Sequence, residues 1–297
     1  MSYTKKKTTS NKAALITAPV IQGMKGADKI CCMTAYDYSS GMIADAAGMD
    51  LVLVGDSLAM VVLGHEDTLS VTVDEMIHHI RATSRGVKHA LVVGDMPFMS
   101  YCTVERALET GGRFIGEGHA KAVKLEGGAS VCPQIKALTD AGIPVMAHVG
   151  LTPQHVAKFG GFKAQGKSAE ATRALIDDAL AVEAAGAFCV VLEAIPVEAA
   201  ELITEAVSIP TIGIGAGNVT DGQILVYHDT LGLFDRFTPK FVRRFAELGE
   251  ESRTALARYC DDVRRGTFPG DKNTFYMPED QLSQVRKIKI KNKHKKK

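Results

Sequence analysis

Ala90-Leu91-Val92-Val93-Gly94-Asp95 runs apolar and then stops on a glycine and a carboxylate. Val54-Gly55-Asp56-Ser57, Lys124-Leu125-Glu126-Gly127 and Leu192-Glu193-Ala194 close three other short apolar runs on an acid. Such runs span about residues 30–36, 50–56, 90–95, 121–126, 143–149, 187–193, 209–214 and 223–228, the last being the weakest. Most are continuous rather than alternating, the pattern of strands covered on both faces in a parallel sheet. Between them lie helix-like segments at 73–88, where Met76, Ile77, Ile80 and Val87 recur at helical spacing, and at 103–116, 133–141, 168–185 and 197–207.

Alternating strands and helices build either a closed eight-fold barrel or an open doubly wound sheet, and eight candidate strands favour the barrel. The expectation is an α/β chain with a single (β/α)8 TIM barrel. It covers residues 18–265, with a flexible segment at 1–17 before it and a C-terminal helix over about 239–264. An extension at 266–297 ends in a disordered lysine-rich tail. In a barrel the strand endings gather at one rim, where this architecture places its chemistry. Several acids in one mouth need a cation between them.

The composition excludes several classes. With 297 residues, 46% hydrophobic, and 35 Lys+Arg against 34 Asp+Glu, the chain has a large core and no global bias toward nucleic acid or membrane. Residues 286–297 nevertheless carry eight positive charges and no acid, which leaves the rest of the chain acidic. A solvated tail is the expected role, with a weak anion or nucleic-acid contact as the lesser alternative. The six cysteines have no CxxC spacing, which points to reduced thiols rather than a zinc site or disulfide framework. The apolar stretch at 13–16 after Lys5-Lys6-Lys7 is too short for a signal-peptide core, and no run approaches the roughly 18–20 residues of a membrane span. A cytoplasmic protein is expected.

Asp56 and Asp95 share the apolar-Gly-Asp pattern on neighbouring strands, which suits Mg²⁺, an ion that takes one or two carboxylates and keeps waters or substrate oxygens. Either Asp alone reads equally well as a turn residue after glycine. Glu126 can join the metal site directly or through water. Lys124, two residues before it, points the same way on a regular strand; it can hold a substrate carboxylate, stabilise an enolate, or simply pair with Glu126. Glu193, approached by apolar residues, suits a general base if poorly solvated, though a lone Glu is more often an ion-pair partner. His148 is a donor to developing oxyanion charge or a structural histidine. His78-His79 reads as surface. Ile212-Gly213-Ile214-Gly215-Ala216-Gly217 lacks a Walker lysine, and close backbone approach explains it better than phosphate binding.

At Asp56-Ser57, Asp95-Met96-Pro97-Phe98, the stretch from Val123 to Gly128, and Gly150-Leu151-Thr152-Pro153-Gln154, the chain closely resembles the ketopantoate hydroxymethyltransferase (3-methyl-2-oxobutanoate hydroxymethyltransferase) family. The resemblance continues through Leu192-Glu193-Ala194-Ile195-Pro196, the glycine-rich segment, Asp221-Gly222-Gln223 and His228-Asp229, and covers about residues 18–265. It implies a barrel that assembles as a homo-oligomer, typically a decamer. The implied activity is transfer of a hydroxymethyl group from 5,10-methylenetetrahydrofolate to 3-methyl-2-oxobutanoate, through a Mg²⁺-stabilised enolate, to give 2-dehydropantoate in pantothenate biosynthesis. By similarity, Asp56, Asp95 and Glu126 form the metal site, and Glu193 accepts the proton. Asp56, Ser57, Asp95 and Lys124 contact the 2-oxo acid, with His148 beside it. The chain departs from the family at Gly64-His65, where Tyr more often follows the glycine, at Ser70 in place of Pro, and at Met146-Ala147-His148-Val149-Gly150. A Mg²⁺-dependent carbon–carbon lyase or phosphonomutase on a related barrel would share the acids, but those enzymes carry a Lys-Lys-Cys-Gly-His loop that this chain lacks.

Overall fold

Leu51, Leu53, Leu91, Val93, Met146 and Val191 pack into one buried cluster, while their immediate neighbours Val52, Val54, Val92, Ala147, Val190 and Leu192 pack into another. Two apolar clusters alternating residue by residue are what a strand produces when one face lines a barrel and the other meets helices. The computed structural model describes residues 15–156, 161 and 163–288. The expected flexible segment up to residue 14, and the tail from residue 289 onward, lie outside the described residues.

The strands are β1 (Ile30–Thr34), β2 (Leu51–Val54), β3 (Leu91–Asp95), β4 (Ala122–Glu126), β5 (Val145–Gly150), β6 (Cys189–Glu193), β7 (Thr211–Ile214) and β8 (Gly222–Leu225). They form a closed parallel barrel in sequence order, with Ile30 of β1 opposite Gly222 of β8. The expected (β/α)8 barrel is the observed architecture. Helix α1 (Ala18–Gln22) places Ala18 and Ile21 in the inner cluster with Ile30, Leu51 and Leu91, the first inward positions of β1, β2 and β3, so it covers the N-terminal end of the barrel. Lys25 and the Gly26 amide, just after α1, both bond Asp221 before β8.

Helices α2 (Tyr38–Ala46), α3 (Leu58–Val61), α4 (Val73–Gly86), α5 (Val104–Gly116), α6 (Cys132–Asp140), α7 (Ala169–Ala184), α8 (Val197–Ala206) and α9 (Tyr227–Thr230) follow the strands. Their starts are legible chemistry. Asp37 accepts the Ser40 amide before α2, and Thr72 with Glu75 forms a reciprocal capping box on α4. Ser168 accepts the Ala171 amide at 3.2 Å before α7.

Two boundaries differ from expectation. The run at 223–228 is a strand only to Leu225, because Tyr227 opens α9 and its amide turns back to the Thr34 hydroxyl at 2.9 Å. The C-terminal helix does not start near 239; α10 spans Leu248–Arg265, after a stretch of turns. The chain divides after Ala246 into two compact units. In the second, α10 ends on Gly266 at φ +69°, the left-handed cap that glycine adopts without penalty, and α11 (Glu279–Val285) follows.

Gly94 lies on the outward face of β3, where a methyl group would come 2.7 Å from both Ile80 of α4 and Phe114 of α5. Both neighbours are fully buried, so they have little room to yield. Gly94→Ala is expected to cost about 1–3 kcal/mol through overpacking. Thermal or denaturant unfolding of the variant against the parent checks this, and an unchanged midpoint contradicts it.

Candidate active site

On four neighbouring strands the inward face starts apolar and turns polar toward the C-terminal end. On β3 the sequence Leu91, Val93, Asp95 shares one face; on β4 it is Ala122, Lys124, Glu126; on β5 Met146, His148; on β6 Cys189, Val191, Glu193. Closure of the barrel brings these ends together at the C-terminal mouth. Register sets Asp95 opposite Lys124 and Glu126 opposite His148.

Lys124 Nζ donates to both oxygens of Asp95, at 2.7 and 2.9 Å, and lies 3.7 Å from Glu126. The Asp56 amide donates to Asp95 at 3.2 Å. The His148 ring spans two carboxylates, with Nδ1 3.5 Å from Glu126 and Nε2 3.3 Å from Glu193. These are ion-pair distances without hydrogen-bond alignment, since neither ring nitrogen has an aligned partner. Asp56, Asp95, Lys124, Glu126 and His148 are buried, whereas the Glu193 side chain keeps 15% of its surface exposed. Glu193 is therefore less sealed than its apolar approach suggests. The residue after it, Ala194, has φ +47°, a costly conformation for a non-glycine that recurs where a side chain must be aimed.

The structure places Asp56 differently from its motif. Leu53 pairs with Val93 and Val54 with Gly94, so the two Val-Gly-Asp stretches are out of step by one residue. Asp95 is the last residue of its strand, and Asp56 belongs to the turn that follows β2. Gly55 makes this possible, because a side chain there would crowd the Ser57 hydroxyl at 2.8 Å.

Two residues without an assigned role hold the acids in place. Gln154 Nε2 donates to Asp56 and to the Met96 carbonyl, each at 2.9 Å, and the Gln154 amide donates to Glu126 at 3.0 Å. The Tyr101 hydroxyl in turn donates to Gln154 Oε1 at 2.6 Å. Gln154 was visible only as the end of Gly150-Leu151-Thr152-Pro153-Gln154, and nothing in the local pattern marks Tyr101. Tyr36, fully buried, bonds the Ser57 hydroxyl at 3.0 Å. A cavity of about 200 Å³ opens beside the acids, bounded by Tyr101, Glu126, Gln154, His155 and Phe98.

Electrostatics show an excess of negative charge. Burial pushes the Asp56 carboxyl well up, and the charges of Asp95 and Glu126 push it further. For Asp95, burial outweighs the pull of Lys124, so it too is raised. Burial also opposes ionisation of Glu126, but Lys124, His148 and the Gln154 amide together hold it below its ordinary range. Lys124 resists its own burial through the same acids and stays charged. The Lys124–Asp95 pair is nonetheless charged, because both carboxylate oxygens receive the ammonium at close range. Asp56 has no such ammonium. A divalent cation fits this donor set, since it would relieve the repulsion that raises Asp56. Among the described residues no group of three or more His, Cys, Asp or Glu side chains forms a ready metal cage. An ion bound by one or two of these carboxylates with water and substrate oxygens needs none.

Other candidates resolve structurally. His78 is exposed, but His79 is not simply surface, because its Nδ1 lies 2.6 Å from the Tyr36 carbonyl. In the glycine-rich segment, a side chain on Gly215 would strike the Phe241 ring at 2.6 Å, and one on Gly217 would strike Val197 at 2.5 Å. Close packing thus accounts for those glycines. The loop with Ser70 in place of proline is tied down near its start by Arg236, which donates to the Gly64 and His65 carbonyls.

A family sequence model described as ketopantoate hydroxymethyltransferase matches residues 15–271. A 3-methyl-2-oxobutanoate hydroxymethyltransferase of Oleidesulfovibrio alaskensis is 58% identical over 274 residues, covering 92% of this chain and 95% of its own. Its counterpart in Enterococcus faecalis is 57% identical, covering 87% and 94%. Among solved structures, a 2,3-dimethylmalate lyase aligns over 91% of this chain and 93% of its own, with a TM-score of 0.56 at 16% identity. A phosphoenolpyruvate phosphomutase from Streptomyces platensis subsp. rosaceus aligns over 91% and 95%, with a TM-score of 0.57 at 15% identity. At such identities these two share the fold.

The surrounding charges give a pH signature. Burial and Lys124 both depress the His148 pKa, but Glu126 and Glu193 overcome them and raise it to about 9. A histidine raised on folding contributes stability that is complete below its unfolded value near 6.5 and is lost as pH rises through about 9. In the presence of chelator, the stability difference between the parent and His148→Gln is expected to shrink between those limits. Denaturant unfolding at several pH values measures it, and a gap that stays constant or widens with pH contradicts the assignment.

Proposed function

The chain belongs to the ketopantoate hydroxymethyltransferase family and is an enzyme of hydroxymethyl transfer to 3-methyl-2-oxobutanoate, and we propose that it works with Mg²⁺ held by Asp56 and Asp95 and with Glu193 as the base. The observation that carries this reading is the buried pair of carboxylates, joined at 3.2 Å through the Asp56 amide, with one ammonium between Asp95 and Glu126. Bound there, Mg²⁺ supplies Lewis-acid withdrawal from the 2-oxo group, which acidifies the adjacent C3–H bond.

The chain's own groups do the remaining work. Gln154 fixes Asp56 by one oxygen, and Glu126, already engaged by Gln154 and His148, contributes to the metal site through water. Lys124 turns from Asp95 toward the substrate carboxylate, where Ser57 donates a further hydrogen bond. Glu193 accepts the proton from C3. His148 Nε2, 3.3 Å away, steadies the Glu193 carboxylate before the transfer and the oxo-acid charge beside it. Water breaks the two C–N bonds of the methylene bridge of 5,10-methylenetetrahydrofolate, freeing tetrahydrofolate and a one-carbon unit at the formaldehyde level; C3 adds to that carbon, and the oxygen that came from water takes a proton to become the hydroxyl of 2-dehydropantoate.

Assembly as a homo-oligomer, expected as a decamer, and a cytoplasmic location in pantothenate biosynthesis belong to the same proposal. The six cysteines are all free, in keeping with a reducing compartment. No helix among the described residues is long and apolar enough to cross a membrane.

Conversion of 3-methyl-2-oxobutanoate, assayed with and without folate and with and without Mg²⁺, tests the reading; full turnover without folate favours a lyase-type reaction instead. Glu193→Gln is expected to retain oxo-acid binding while losing deuterium exchange at C3 by about a hundredfold or more. Undiminished exchange removes Glu193 from the role of base. Asp56→Ala combined with Asp95→Ala is expected to abolish turnover at any Mg²⁺ concentration, and normal turnover of that variant in chelator rules out the metal assignment.

A further inference from the structure

Ser57 stands at the N-cap of α3, yet its side chain caps nothing. It points back over Gly55, where an added methyl group would meet its hydroxyl at 2.8 Å, and it bonds Tyr36 at 3.0 Å. Tyr36 is 1% exposed. A phenol buried this deeply costs stability unless its hydroxyl is bonded, and phenylalanine would fill the same volume without that demand.

The backbone and ring of Tyr36 are clamped from several sides. Its amide donates to the Ser40 hydroxyl at 3.0 Å, its carbonyl receives His79 at 2.6 Å, and its ring packs against His228 with centroids 5.4 Å apart. His228 belongs to a motif with no other assigned role. The Thr34 hydroxyl, two residues before Tyr36, accepts the Tyr227 amide at 2.9 Å. Burial keeps the phenol protonated. Either hydroxyl of the Tyr36–Ser57 pair can donate, and with the phenol as donor the Ser57 hydrogen is left for an anion in the mouth.

We propose that Tyr36 is a positioning residue for the substrate carboxylate, acting through Ser57 by holding that hydroxyl in place with its hydrogen turned toward the bound 2-oxo acid. The proposal rests on the reading that Ser57 contacts the substrate carboxylate. It extends the binding machinery to a side chain that itself touches no substrate, and it gives the Tyr36–His228 packing a purpose beyond filling the space between β1 and β8.

The test is a double-mutant cycle with Tyr36→Phe and Ser57→Ala, in the full chain with Mg²⁺ and the folate donor. KM and kcat for 3-methyl-2-oxobutanoate are read in each variant, with thermal unfolding alongside. Tyr36→Phe is expected to raise KM by about tenfold, with kcat within about twofold of the parent. Added to Ser57→Ala, it is expected to change KM no further. Binding of 3-methyl-2-oxobutanamide, which lacks the carboxylate charge, is expected to be equal in Tyr36→Phe and the parent. A Tyr36→Phe effect that persists in full without Ser57, or one that falls equally on the amide, overturns the proposal and makes Tyr36 a structural residue. If Ser57→Ala alone leaves KM for the oxo acid unchanged, the underlying reading of Ser57 fails and the proposal with it. If Ser57→Ala raises KM while Tyr36→Phe does not, only the role of Tyr36 fails.

Discussion

Carboxylates taken out of water must find positive charge or hydrogen-bond donors, and that constraint organises the mouth of this barrel. Asp95 meets it with Lys124, one strand over and in register. Glu126 meets it with Lys124, His148 and the Gln154 amide. Asp56 meets it least, having the Gln154 side-chain amide and no ammonium, which is why burial and its neighbours raise it so far. The charged form of an acid in that state is disfavoured, and a divalent cation would relieve it.

A second ring of side chains lies behind the mouth. Tyr101 bonds Gln154, Gln154 bonds Asp56 and Glu126, and Tyr36 bonds Ser57. Tyr101, Gln154 and Tyr36 are buried and each bonds the next group toward the mouth, an arrangement that favours a fixed geometry. Ala194 adds a backbone device at the sixth strand, where a left-handed residue directly follows the carboxylate proposed as base. Its amide remains bonded to the Ile214 carbonyl at 2.8 Å, so the neighbouring strand holds the unusual conformation.

Several parts of this were legible in the residues. The apolar runs marked the strands because both faces of a barrel strand are buried, and β3, β4 and β6 ended on the acids that the runs themselves ended on. The segments at 73–88 and 168–185 were readable as helices from their spacing, and the structure starts them on local cap bonds from Thr72 and Ser168. Lys124 and Glu126 were readable as neighbours because alternation along one strand is a fixed geometric rule. Where a reading depended on pairing between strands it slipped: Asp56 and Asp95 share a motif but not a register, and the eighth strand gave way early to α9.

By itself, then, the order of residues determined the strand count, the inward row of polar endings and the family resemblance, since each depends on periodicity or short spacing along the chain. Tertiary structure alone decided that Gln154 would reach across to Asp56, 98 residues earlier in the chain, and that Tyr36 would stand behind Ser57. It also decided that Lys124 would spend its charge on Asp95 first. Those contacts follow from barrel closure and shear, which fix which strand ends meet, and no local pattern in the sequence encodes them.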